Sequence, residues 1–223
     1  MNVFASDLCR MLPALAAGVL ISACAPAPES APPAAPSERP APTAEQLERE
    51  QQELARRERV AQAARARFEL LDNGVALDQE AGLMWARCAL GMEWTGQTCA
   101  GKARQLNWDQ ALEEAERASL AGHDDWRLPT QPELYALTYC STGVRSEPNR
   151  EGLGGGCAGD YASPTIVEEV FPATPIGNFW TSTPHARFNF SAWGVSFNTG
   201  HTGTGGRNDY VFVRLVRDVA APQ

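Results

Sequence analysis

The chain has 223 residues, of which 43% are hydrophobic and 21% charged, with a net charge of -8. That length suits one domain with attachments or two small domains, and the acidic balance argues against a chain-long nucleic-acid binder, which would be basic. A single short apolar run, near the N-terminus, argues against a multi-span membrane protein.

That run, MLPALAAGVLISA, occupies residues 11–23. About 13 apolar residues reach only ~20 Å as a helix, short of a ~30 Å hydrocarbon core. Arg10 precedes the run and small residues end it, so residues 1–23 have the layout of a secretory signal. Its end, Ile21-Ser22-Ala23-Cys24, resembles the lipobox of bacterial lipoproteins, with Ile21 where Leu is commoner. The resemblance implies that Cys24 becomes the lipid-modified N-terminus and holds the chain to a membrane. By resemblance to bacterial sorting rules, Ala25 after the Cys implies the outer membrane, facing the periplasm or the surface. The alternative is plain cleavage after Ala23-Cys24-Ala25, which would leave Pro26 as a poor neighbour for a peptidase.

Residues 24–42 are rich in Pro and Ala and cannot build a packed core, so they read as a polyproline-like tether. Residues 43–67 then carry strong helix formers without Gly or Pro, opened by a capping box between Thr43 and Gln46. Leu47, Leu54 and Ala61 recur every seven residues, but Gln51, Glu58 and Arg65 fill the matching positions. Half a seam is weak for a coiled coil, so a solvated single helix is expected as a spacer.

Residues 68–219 read as the globular domain, followed by a tail at 220–223. Apart from Phe4, every aromatic lies at or after Phe68. Eight acids and eight bases precede Phe68, against nineteen acids and eleven bases from it onward, so the domain carries the whole net charge. Asn73-Gly74 predicts a tight turn between two short strands, and LMWARCA a third. Asn107 caps a helix stopped by Gly122, with Leu112, Ala115 and Ser119 on its apolar face. WRL at 126–128 reads as a short strand, and Thr130 and Glu133 open a second helix over QPELYALTY. Two Gly-rich loops are expected, at 141–162 and 199–209. NFWTST and SAWGVSFN read as strands, with Trp193, Val195 and Phe197 in period two. A last strand, YVFVRLVRDV, closes the domain with Val211, Val213 and Leu215 on one face. The order predicts an α+β fold with two short helices and antiparallel strands.

An exported domain with Cys88, Cys99, Cys140 and Cys157 predicts two disulfides. Three connectivities are open, and the local pairs Cys88–Cys99 and Cys140–Cys157 are preferred because each closes a Gly-containing loop. A zinc site is the weaker reading, since no CxxC pair or nearby His supports it.

LDNGVALDQEAGLMW, WDQALEEAE, GHDDWRLPTQPEL, FWTST, AWGVSFNTG and YVFVRLVR form an ordered series that resembles the Lcl C-terminal domain family. That family takes its name from a bacterial collagen-like adhesin. The resemblance spans roughly residues 68–218 and implies a C-type-lectin-like fold, in the branch that includes formylglycine-generating enzymes. The most specific piece is Asp125-Trp126-Arg127-Leu128-Pro129-Thr130. Here Trp126 and Leu128 are expected to bury, Arg127 to pair with Asp124 or Asp125, and Thr130 to cap the next helix. Trp85, Trp180 and Trp193 read as core or near-core residues.

Formylglycine-generating chemistry needs late reactive cysteines, and none follows Cys157. His123, His185 and His201 lack metal spacing and a nucleophile partner, so no catalytic set can be named. Glu147-Pro148-Asn149 matches a calcium-lectin tripeptide, with Asn208-Asp209 as its partner, but a plain turn is the simpler reading. The naming adhesin's association with sulfated glycosaminoglycans implies basic surfaces, which a domain of charge -8 resists unless its bases cluster. Arg207, Asn208 and Asp209 are the candidate ligand contacts. The expectation is a non-enzymatic envelope lipoprotein that presents a binding or adhesion domain to a glycan or protein, without metal, cofactor or nucleic acid. A structural envelope component and a divergent periplasmic enzyme are the alternatives, and oligomeric state is left open.

Overall fold

The computed structural model describes residues 42–219; the expected signal segment, Cys24, most of the expected tether and the expected tail lie outside them. No helix among the described residues is long and apolar enough to cross a membrane.

The segment expected as a spacer is helix α1 (Ala44–Ala66). The Thr43 side chain accepts from the Gln46 N–H, and the Gln46 side chain accepts from the Thr43 N–H, as the capping box predicts. Leu47 and Leu54 are exposed. The C-terminal turns are not free in solvent, however. Ala64 packs against the core, and Val60 faces Gly143. Arg67 then clasps the buried Asp78 carboxylate and donates to the Ala136 carbonyl at 2.9 Å.

Strands β1 (Phe68–Leu70), β2 (Val75–Asp78) and β3 (Leu83–Ala86) form a meander, with Gly74 at a φ of 84° in its first turn. A hairpin of β4 (Met92–Trp94) and β5 (Cys99–Gly101) follows, then the short β6 (Gln105–Leu106). Helix α2 (Trp108–Glu116) is capped by Asn107 and ends before Gly122, since residues 120 and 123 pair as an isolated bridge. Its buried face is Trp108, Ala111 and Ala115, not the expected Leu112, Ala115 and Ser119. Helix α3 (Gln131–Tyr135) is a single turn and a half. The expected WRL strand is only a bridge between Arg127 and Val216.

The first Gly-rich loop contains a hairpin, β7 (Arg145–Pro148) with β8 (Gly154–Cys157). Strands β9 (Asn178–Pro184) and β10 (Ser191–Ser196) match the sequence reading. The second Gly-rich loop is largely strand β11 (Thr202–Gly206). The closing strand is divided into β12 (Val211–Phe212) and β13 (Val216–Asp218), which belong to different sheets. One sheet has the order β1-β2-β3-β13 and the other β6-β12-β9-β10-β11-β8-β7. Apart from the parallel β12–β9 contact the pairings are antiparallel, so the domain is α+β.

The large sheet contributes to both core clusters. Phe179, Val195 and Phe197 enter one core cluster, while Trp180 and Ala192 enter the other with Trp108, Trp126 and Leu128. Trp85 and Trp180 are core as expected, but Trp193 is only half-buried. Disulfides join Cys88 to Cys99 and Cys140 to Cys157, the two local pairs.

Between β12 and β13 lies Arg214, fully buried without a carboxylate partner among the described residues. Its guanidinium lies over Phe171 at 4.7 Å and Phe179 at 5.7 Å. It donates to the Ala86 and Arg87 carbonyls at 2.9 and 2.6 Å and to Thr174 at 2.7 Å. Burial pushes its pKa down to about 9. Arg127 forms paired hydrogen bonds with Glu133 and with Asp218, not with Asp124 or Asp125. Asp125 instead takes Arg217, at 2.6 and 2.9 Å. The cause is topological: the β13 pairing brings residues some 90 positions away alongside the motif.

Arg214→Ala leaves two inward-facing carbonyls and a cavity, and should cost about 3 kcal/mol or more in urea unfolding. Arg214→Met keeps most of the volume and removes the buried charge, and should cost less than about half of that. Burial raises the Glu133 pKa, but the Arg127 guanidinium and the Thr130 N–H outweigh it and hold the carboxyl below its ordinary value. Arg127 lowers Asp218 likewise. Both carboxylates therefore stabilise the fold fully above the unfolded range near pH ~4, and that contribution is lost as pH falls through the lower folded values. The thermal midpoint should drop below about pH 4, and Glu133→Gln should flatten that drop.

Candidate functional site

In the β10–β11 ladder, Arg207 N–H donates to the Phe190 carbonyl at 2.8 Å, and Ser196 N–H to the His201 carbonyl at 2.8 Å. With Gly194 opposite Gly203 and Ala192 opposite Gly205, this parity turns the backbone groups of Gly203 and Gly205 toward β10. Those of Thr202, Thr204 and Gly206 point outward. Thr202 meets Gly154 of β8. Gly206 is closed by Asp209, whose carboxylate accepts its N–H and whose N–H donates to its carbonyl, both at 2.9 Å. Thr204 lies between them, with no backbone partner among the described residues.

Two grooves meet at Thr204, one on each face of the sheet. The first has a volume of about 420 Å³ and a floor of Trp180 and the glycines 194, 203 and 205. A Cβ at Gly194 would lie 2.9 Å from the Phe179 carbonyl, and one at Gly205 would lie 3.2 Å from the Trp180 ring. A Cβ at Gly203 would meet nothing within 4 Å, so the groove is open above it. Asn178, Ser196, His201, Asp209 and Tyr210 supply polar groups along the walls. The second groove, about 430 Å³, lies between Trp193, His185, Phe188, Leu153 and Glu151. Its rings stack in a column: His185 lies 4.9 Å from Phe188 and 6.1 Å from Trp193, and Phe190 lies 5.6 Å beyond Phe188. The His185 Nδ1 accepts from the Arg187 and Phe188 N–H groups, both at 3.1 Å, which leaves the ring proton on Nε2.

Of the three expected contacts, only Asp209 lines a groove. Arg207 turns away, its guanidinium 4.1 Å over the Trp108 ring, and Asn208 is exposed outside both grooves. Asn149 is held within its own turn, its side-chain oxygen accepting from the Glu151 and Leu153 N–H groups at 2.9 and 3.0 Å. No group of three or more His, Cys, Asp or Glu that could hold a metal occurs among the described residues. The reading from sequence missed Asn178, Ser196, Phe188 and Phe190. The two phenylalanines carried a usable signal, being aromatic within the polar run HARFNFS.

The bases are largely spent on the fold. Arg104, Arg117, Arg127, Arg145 and Arg217 are in ion pairs. Arg87 donates to the Glu169 and Val170 carbonyls over the Trp94 ring, Arg214 is buried, and Arg207 is stacked. Of the eleven, Lys102, Arg150 and Arg187 have none of these engagements among the described residues.

A family model for the Lcl C-terminal domain matches residues 74–217. The chain belongs to the Lcl C-terminal domain family. No curated protein matches it. The family match begins after β1 and takes in the large sheet, both disulfides and both grooves, so the grooves lie within the Lcl C-terminal domain and not on the helix before it.

With all but Lys102, Arg150 and Arg187 of its eleven bases engaged internally and a net charge of -8, this Lcl C-terminal domain should not be retained by immobilised heparin at about 0.15 M salt. Retention that needs added salt for release would contradict the charge placement.

Proposed function

We propose that the chain is a non-enzymatic envelope lipoprotein whose Lcl C-terminal domain is a binding module for a glycan or protein partner. The observation that carries this reading is the meeting of a polar and an aromatic groove at an exposed point of a rigid sheet. Binding sites commonly combine a few polar groups with aromatic walls on such a scaffold. The C-type-lectin-like assignment rests on the family resemblance, and the α+β order with two local disulfides suits it. A non-enzymatic role is supported by how the candidate groups are used: His185 holds a turn and Asp209 closes one. The lipobox-like Ile21-Ser22-Ala23-Cys24, the Pro-rich tether and the capped helix support an anchored head held away from the outer membrane.

Gly203→Val tests the groove, because the added side chain fills open space in a strand without a clash. Partner capture from cross-linked envelopes, or signal on a glycan array, should fall at least about tenfold while the melting temperature holds. Unchanged capture would remove the groove from consideration. Fatty-acid labelling of the full chain should be lost in Cys24→Ala; equal labelling of wild type and variant would end the anchor reading.

A further inference from the structure

We infer that the open point of β11 receives an extended peptide as an added strand, an inference that rests on the binding-module reading above. A peptide strand beside Thr204 would exchange two backbone hydrogen bonds with its N–H and carbonyl. Strand side chains alternate between faces. The peptide residue opposite Thr204 therefore faces the same side as Trp193, which is Thr204's partner in β10, and enters the aromatic groove. Its two neighbours face the other side, one above Gly203, where the groove is open, and one above Gly205, beside the Trp180 ring and the Asp209 carboxylate. One strand thus fills both grooves, which a ligand lying on a single face would not do.

The ends of the notch set its length. Thr202 is taken by β8 and Gly206 by the Asp209 turn, so about three peptide residues dock. The chemistry sets their order. The central residue is aromatic or aliphatic, matching Trp193, Phe188 and Leu153. The flanking residues are polar or basic, since Asp209 is the one charged side chain in the polar groove and no Lys or Arg lines it. Only one carboxylate oxygen of Asp209 is engaged by Gly206, which leaves the other for such a group.

The test uses the full chain and acetylated pentapeptides of the form Gly-x-Phe-x-Gly, with x as Lys, Asn or Glu, read by fluorescence anisotropy. Lys and Asn versions should bind and the Glu version should bind more weakly. N-methylation of the central amide should lower affinity about tenfold or more. Thr204→Pro, which removes an outward N–H and no β10 bond, should do the same. Equal binding of N-methylated and parent peptides would overturn strand addition whatever the variant does to folding. If no pentapeptide binds while Gly203→Val still abolishes capture of an envelope partner or glycan, the peptide inference fails and the binding-module reading stands. If Gly203→Val changes nothing and no peptide binds, both fail.

Discussion

Arg214 is the constraint on which the two-sheet arrangement depends. The chain leaves the large sheet at Phe212 and enters the small one at Val216, and Arg214 sits in that crossing. A continuous strand would keep all its residues in one sheet. Here the guanidinium is drawn inward between Phe171 and Phe179, and it satisfies the carbonyls where β3 ends. Those contacts fix the residues on either side, so Val213 and Leu215 fall into one core cluster and Val216 into the other. Burying a charge without a counter-ion is costly. Backbone dipoles, a hydroxyl and two ring faces offset that cost here.

The same economy explains the surface. An arginine-rich domain would ordinarily offer cationic patches, but in this one the arginines pair with carboxylates, cover aromatic rings or bond to backbone. What remains around β11 is uncharged or acidic on one face, and aromatic with Glu151 and Arg187 on the other.

Much of the fold was legible because its cues are local. Thr43 with Gln46 announces one helix start within four residues, and Asn107 another. The disulfides close loops of 11 and 17 residues. What escaped depends on distant pairing. Thr-Gly-Thr-Gly-Gly carries no strand pattern of its own and becomes β11 only because β10 lies beside it. Arg127 found Asp218, and Asp125 found Arg217, once β13 had been placed against β3. The site was the least legible part. Loop composition pointed to Arg207–Asp209, and of the three only Asp209 lines a groove. Arg207 could not be read as a Trp108 cover, because Trp108 lies in another element 99 positions away.

The small sheet has one more consequence. Phe68 pairs with Asp78, Asp78 with Leu83, and Leu83 with Asp218, so the strands that open and close the domain end in a single row. Three strand spacings separate the row's ends, ~14 Å. A linker of about five residues covers that distance. The domain is therefore laid out like a cassette: entry and exit share one side, the arrangement that insertion into a loop of another protein requires.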